Sequence, residues 1–316
     1  MILQGRMRGM VAALTAVLGF PAVGAAQDMV RYDLSLGTDY RRAQMDWNIA
    51  GSMAGTGPNV LSELIWRKLE IAQVTGVVQV SLVDRVVIQG SADYGEVKKG
   101  MVRDSDYDGD NRSQEFLRSD SDAGGRVADA SLGVGWHFRV YDRSAGHYAH
   151  ITPMVGYSEH RQSLKINNGV QIIPATGPIA NLNSSYNALW KGPWLGVKLR
   201  LDASDQTALI IDLQYHRADF SAEADWNLRG DLDHPVSFRH DTQGIGVVAG
   251  VALTQALTKH WDFITRIESQ DWTGDPGVDT LNAINSGTGK VQPTTTRLNE
   301  VHWHSLSAGI AAAFHF

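Results

Sequence analysis

Cysteine is absent from all 316 residues. So is any apolar run of the roughly 18 to 20 residues that a membrane-spanning helix needs. Basic charge is short as well, with 28 Lys and Arg against 34 Asp and Glu and a net charge of -6. Each shortage excludes something. Without cysteine no disulfide framework can staple a small exported core, so stability must come from some other closed structure. Without a long apolar run there is no helical membrane span. A net acidic chain gives no support to nucleic-acid binding, which wants a basic face. The chain also has no Gly-rich phosphate loop, no HExxH and no Gly-x-Ser-x-Gly. No internal repeat or low-complexity tract marks a second domain.

What is present begins with Arg6 and Arg8, an apolar segment from Met10 to Phe20, and the small residues Val23, Gly24, Ala25 and Ala26. This pattern predicts a secretory signal peptide over residues 1–26, cut after Ala25 or Ala26, with the mature chain running over 27–316. Apolar residues make up 43% of the chain, enough for a substantial core. They recur at every second position. Ile88, Gly90, Ala92 and Tyr94 alternate with Gln89, Ser91 and Asp93; Leu195, Val197, Leu199 and Leu201 alternate with Lys198, Arg200 and Asp202. Burying such charges in a small dry core is costly. A β-barrel with lipid outside and a polar, partly wet interior removes the conflict. Leu306, Ala308, Ile310, Ala312, Phe314 and Phe316 extend the alternation to a terminal aromatic, which resembles the signal read by the outer-membrane barrel assembly machinery.

Connection lengths give the topology. Short turns are expected near Val83 to Arg85, Asp142 to Gly146, Ala203 to Gln206 and Thr254 to His260. Long polar segments are expected near Ala50 to Asn59, Lys98 to Ala128, Asn167 to Asn183, Asn227 to Pro235 and Trp272 to Val301. Short turns on one rim and long loops on the other describe an all-β, antiparallel transmembrane barrel of about ten strands in the outer membrane of a Gram-negative bacterium, its long loops extracellular. Trp47, Trp66, Tyr94, Trp136, Tyr157, Trp190, Trp194, Trp226, Trp261, Trp272 and Trp303 gather where strands meet loops, as interfacial girdles do.

Charge concentrates between Lys99 and Arg118, with Asp104, Asp106, Asp108 and Asp110 followed by Glu115. Carboxylates this close repel one another unless a proton, a cation or water relieves them, so the stretch reads as a proton-sharing pair, a metal loop or a solvated acidic patch. Asp104 to Glu115 matches the calcium-loop pattern D-x-D-x-D-G-x5-E, yet strand patterns rather than helices flank it, and Arg112 would set a cation beside the metal. No metal site is therefore expected.

Four blocks, Asp33 to Thr38, Ser62 to Arg67, Met101 to Tyr107 and Gly156 to Arg161, come in the order and rough spacing of the omptin family. Omptins are ten-stranded outer-membrane endopeptidases that need lipopolysaccharide. The resemblance covers nearly the whole mature chain. It implies that Asp104 and Asp106 are the catalytic pair that polarises a water, and that Glu115 lines the substrate cleft. It implies too that Tyr157, Glu159 and Arg161 hold lipopolysaccharide, with no other cofactor. Those three share strand parity with Ile151, Pro153 and Val155 and should project outward just above the lipid band, where Arg161 can pair with phosphate.

The family's Asp-x-His pair, the orienter and general base, falls on Asp225 and Asn227, and Asn takes up no proton. A loop of altered length can instead bring in His234. Strict alternation from Tyr215 puts Asp225 on the lipid side, so that arrangement requires a bulge. The resemblance thus implies either an endopeptidase cutting peptides or proteins near basic residues, or a catalytically silent barrel serving as adhesin or structural protein. A diffusion porin ranks third, since about ten strands enclose little lumen.

Overall fold

Period-two alternation builds thirteen strands in the computed structural model, which describes residues 30–83, 85–141 and 148–316. The expected signal peptide and the expected turn from Asp142 to Gly146 lie outside the described residues. The strands are β1 (Val30–Ile49), β2 (Ser62–Leu82), β3 (Val86–Gly109), β4 (Ser113–Trp136), β5 (Phe138–Tyr141), β6 (Tyr148–Ile173), β7 (Gly177–Pro178), β8 (Asn183–Asp202), β9 (Thr207–Asp225), β10 (Phe238–Ala256), β11 (Trp261–Gly274), β12 (Gly277–Ile284) and β13 (Val291–His315). Antiparallel pairing runs β1-β2-β3-β4-β6-β8-β9-β10-β11-β13 and closes from β13 back to β1. Ten strands therefore form the ring. β5 continues the line of β4 against β6, and β12 continues β11 between β10 and β13 after the break at Asp275 and Pro276.

The strands are far taller than a bilayer requires. β3 has 24 residues; at about 3.3 Å each and a tilt of about 40° it rises about 60 Å, roughly twice the apolar band of such barrels. Hydropathy reads this surplus as loop. The expected loop from Lys98 to Ala128 is instead a hairpin whose only turn is Asp110 to Arg112, with Asn111 and Arg112 both at positive φ as a two-residue hairpin turn demands. Most of the expected loop from Trp272 to Val301 is likewise strand. Above the lipid both faces of a strand meet water or cleft, so nothing there selects alternating apolar residues.

On the outer face Leu36, Val74, Leu132, Val155, Leu195 and Ile267 are each more than half exposed, as lipid-facing residues must be. Tyr40, Tyr94, Tyr157 and Tyr215 ring the upper edge of this band, while Trp136, Phe138, Trp261 and Phe263 stand on its lower part. Charged residues begin directly above, with Arg42, Glu96, Arg161 and Lys191. Most of the expected tryptophan girdle is not there. Trp47, Trp66, Trp190, Trp194, Trp272 and Trp303 are buried, because each has the parity of an inward residue: Trp47 shares the face of Arg41, and Trp303 that of Ser305 and Ser307. Most of them join Tyr186, Phe220 and Phe238 in one apolar cluster that fills the upper lumen. Gly246 makes room for it, since a Cβ there would overlap the Trp272 ring. Trp226 alone packs at the rim, edge-on to Phe238.

Below the aromatic plug the lumen is ionic. Arg41, 1% exposed, donates from Nη1 to Asp129 Oδ2 at 2.8 Å, and His160 Nδ1 lies 3.1 Å from the other oxygen of Asp129. Arg266 Nε donates to Asp39 Oδ1 at 2.8 Å, with Thr75 and Gln73 completing the shell of Asp39. Opposed charges thus sit where alternation alone would have left them stranded in a dry core.

Candidate functional site

A register shift decides which way the acidic stretch faces. Below it Asp93, Gly95 and Val97 point into the barrel. The pairing of β3 with β4 then slips between Glu96 and Met101, matched on β2 by shifts between Arg67 and Ile71. Above the slip the parity is exchanged, so Val102, Asp104 and Asp106 point inward. Asp104 lies across from Leu64 and Ser119, and Asp106 across from Ser62 and Leu117. Leu64 and Val102 belong to the aromatic plug, so the two acids stand directly on its upper surface as part of a cleft wall.

Their environment holds back ionisation. Burial, and then the charge of Asp106, pushes Asp104 up to about 8 against the opposing pull of Arg229. Burial also raises Asp106, while the Ser62 hydroxyl and Arg229 work in the other direction. Asp104 therefore keeps its proton to higher pH than a free carboxyl, and Asp106 is pushed in the same direction. Of the three readings open for this stretch, a pair that holds a proton agrees with the direction of these shifts. The calcium-loop reading does not, since its residues lie on extended strand and a tight turn. Among the described residues no three or more His, Asp or Glu side chains converge on a cation site.

Across the cleft stands the segment between β9 and β10, residues 226–237. Asn227 is fully employed in holding it: Oδ1 accepts from Asn183 N at 2.9 Å and Ser184 Oγ at 3.1 Å, and Nδ2 donates to Asn181 O at 2.8 Å. Arg229 forms a two-pronged bond with Asp231, at 2.8 and 2.7 Å, and is the cation whose field reaches both Asp104 and Asp106. Alternation gave no hint of Arg229. Its one visible signal is that it is the sole Lys or Arg in the segment.

Asp225 and His234 meet at 2.6 Å, Oδ1 to Nδ1. The hydrogen bond that the ring donates to Asp225, together with the charge of that carboxylate, raises the imidazole above its ordinary value. The bulge that would turn Asp225 inward is not formed: β9 runs in unbroken register with β10 and β8 through Glu223 and Ala224. Asp225 therefore keeps the outward parity of Tyr215. The leading charges on His234 are those of Asp225 and Asp233, and the cation acting on Asp104 and Asp106 is Arg229. Glu115 is also held away from the cleft. It lies across from Tyr107, clasps Arg118 with Nε to Oε1 at 2.7 Å, and is lowered by that guanidinium. The structure thus joins Asp104 with Asp106, and Asp225 with His234, but leaves the two couples and Glu115 apart.

Tyr157, Glu159 and Arg161 line the outer face of β6 above Val155, with Arg161 Nη2 donating to Glu159 Oε2 at 2.8 Å. Lys191 on β8 lies directly opposite Glu159. The row begins where lipid-facing residues end.

The chain matches the model of the Protochlamydia outer membrane protein family (Pom) over residues 35–316. It belongs to that family. It is accordingly an outer-membrane protein, and its fold has a solved counterpart in the outer membrane protease OmpT from Escherichia coli, an omptin. The TM-score is 0.73 at 15% identity, with 92% of this chain and 97% of OmpT covered. The omptin-like barrel is thereby established as a fold. The translocator domain of the autotransporter NalP from Neisseria meningitidis aligns over 99% of this chain and 96% of its own at 12% identity, with a TM-score of only 0.36. No curated protein sequence matches the chain.

Proposed function

We propose that this outer-membrane barrel captures basic peptide segments in its extracellular cleft, at Asp104 and Asp106, as an adhesin-like member of the omptin architecture. In this reading the barrel is seated by lipopolysaccharide at Tyr157, Glu159 and Arg161. One observation carries the choice of capture over cleavage: the group whose field reaches the acid pair is the guanidinium of Arg229, which cannot accept a proton. Water held by the pair then has no imidazole to take its proton. The wild-type barrel, refolded with lipopolysaccharide, should bind an arginine-rich peptide and leave it intact. Asp104→Asn combined with Asp106→Asn should abolish binding while the barrel stays folded. Peptide binding that survives this double substitution would sink the assignment.

A second reading, an omptin-type endopeptidase cutting near basic residues, is favoured by one feature. Asp225 already orients His234 at 2.6 Å, as an orienter holds a general base. It requires residues 226–237 to turn inward so that His234 faces Asp104 and Asp106. Cleavage by the wild type that disappears in His234→Ala, a loss of about 10² to 10⁴ in rate for a general base, would select this reading. Asn227→His tests the silent alternative, because gained cleavage would mean that the pair lacked only its acceptor.

A further inference from the structure

The segment carrying Arg229 is pinned as if position mattered. Asn227 clamps it to the start of β8 through three hydrogen bonds. Arg229 N donates to Trp226 O at 2.9 Å and Leu232 N to Arg229 O at 3.0 Å, closing a tight turn around the arginine. Leu232 is buried and bridges to Ala283, and Asp233 N donates to Asn282 O at 2.8 Å, which ties the far side to β12. On this fixed base the Arg229 side chain itself is half exposed and has two sets of partners. Asp231 holds its fork in a planar two-pronged bond. The cleft beside it is narrow: Tyr186, two residues below the Ser184 that Asn227 holds, lies 5.3 Å ring to ring from Trp66, which is two below Leu64, the cross-strand neighbour of Asp104. Across that gap Asp104 and Asp106 act on the guanidinium.

We propose that Arg229 is the specificity-determining residue of the capture site: a tethered guanidinium that competes with an incoming basic side chain for Asp104 and Asp106, while Asp231 parks it away from them. The proposal rests on the capture reading above. A guanidinium is the chemical twin of an arginine ligand and always charged. Whatever fraction of its field falls on the acid pair is subtracted from the attraction a ligand feels. Asp231 governs that fraction, because the planar bond fixes where the charge lies. The site therefore favours ligands able to outbid a neighbouring guanidinium, namely segments with adjacent basic residues, over those with a single lysine.

The test titrates an acetylated, amidated Gly-Arg-Arg-Gly peptide into the refolded full-length mature barrel at low salt and pH 9.5, above the value to which Asp104 is pushed so that the pair is ionised, with heat-modifiable gel migration confirming each fold. Arg229→Gln should bind up to about fivefold more tightly and Asp231→Asn up to about fivefold more weakly, the span of an exposed ion pair. Arg229→Lys keeps the charge but loses the fork, and should behave like Asp231→Asn. All three differences should shrink at high salt. Equal affinities for Arg229→Gln, Asp231→Asn and wild type would overturn the proposal. If the wild type binds no peptide, the capture reading fails, and the competition is still legible without ligand. Carboxyl resonances should then show Asp104 titrating at higher pH in Arg229→Gln and at lower pH in Asp231→Asn, and an unmoved midpoint in both would overturn it.

Discussion

Peptide capture by this cleft should strengthen as pH rises from 6 to 9, a range over which ordinary carboxylates do not change. Asp104, pushed up to about 8 chiefly by burial and then by Asp106, is the reason. At pH 7 about one molecule in ten carries the charge on Asp104, and at pH 9 about nine in ten, since one unit of pH on either side of the midpoint is a tenfold ratio. A bound guanidinium favours the ionised form. If it lowers Asp104 by about one unit, worth about 1.4 kcal/mol, affinity rises by up to about tenfold between the acid and alkaline plateaus. The ligand contributes nothing to the change because arginine stays charged throughout.

His234, raised above a free histidine by its bond to Asp225, lies outside the acid pair, and whatever it contributes is the same in Asp104→Asn. Asp104→Asn removes the steep part and leaves the His234 part, so the difference between the two profiles isolates Asp104. The measurement is isothermal titration of the arginine peptide at half-unit intervals of pH and constant ionic strength. A wild-type profile parallel to that of Asp104→Asn would refute the reasoning, because the pair would then be fully ionised already at pH 6.

The same proton appears in stability. The folded chain binds it more tightly than the unfolded chain, so this contribution is complete below about 4 and is lost as pH rises through about 8. Asp104→Asn should therefore narrow the gap in urea resistance between pH 6 and pH 9. In the lumen, Asp129→Ala should cost about 3 to 5 kcal/mol by stranding the buried Arg41, whereas Arg41→Met with Asp129→Leu should be near neutral; denaturant unfolding reads both. Arg161→Ala should weaken lipopolysaccharide binding by about 1.5 to 3 kcal/mol, the worth of one charge-assisted phosphate contact. An unchanged affinity in a folded barrel would leave Arg161 as an ordinary strand-end partner of Glu159.

Alternation made the ring legible because lipid enforces it. Wherever a strand separates lipid from a polar lumen, as along Ile88 to Tyr94 or Leu306 to Phe314, the two faces differ so strongly that period two survives in the residues themselves. The upper strands escaped because that contrast disappears above the membrane: Arg103 and Asp120 pair outside, Asp104 and Ser119 face inside, and all four are polar. The tryptophans misled for a related reason. Nearness to a loop places an aromatic at the right height for a girdle, but parity decides which face it takes. By parity Trp47, Trp272 and Trp303 belong with Arg41, Gln270 and Ser305 on the inside, where a plug of rings rather than water occupies the upper lumen.

The site divides along the same line. The acid pair could be picked out because Asp104 and Asp106 lie two apart, which on any strand puts them on one face. Which face was hidden in the register shift between Glu96 and Met101, a property of the pairing of β3 with β4 rather than of any residue type. The opposite wall carried the reverse error. A bulge was required in β9 to turn Asp225 inward, and the strand runs straight, so Asp225 and His234 find one another on the outer side while Arg229 is left as the cation reaching the pair. One shift present on β3 and one absent on β9 thus separate acids from imidazole. An inserted residue in β9 between Phe220 and Asp225 should reverse the parity of Asp225 and bring His234 round with it. If residues 226–237 follow, such a variant should gain cleavage of arginine peptides. If it folds, keeps its grip on the peptide and still cuts nothing, then distance was not what kept this cleft from hydrolysis, and the pair itself is unsuited to activating water.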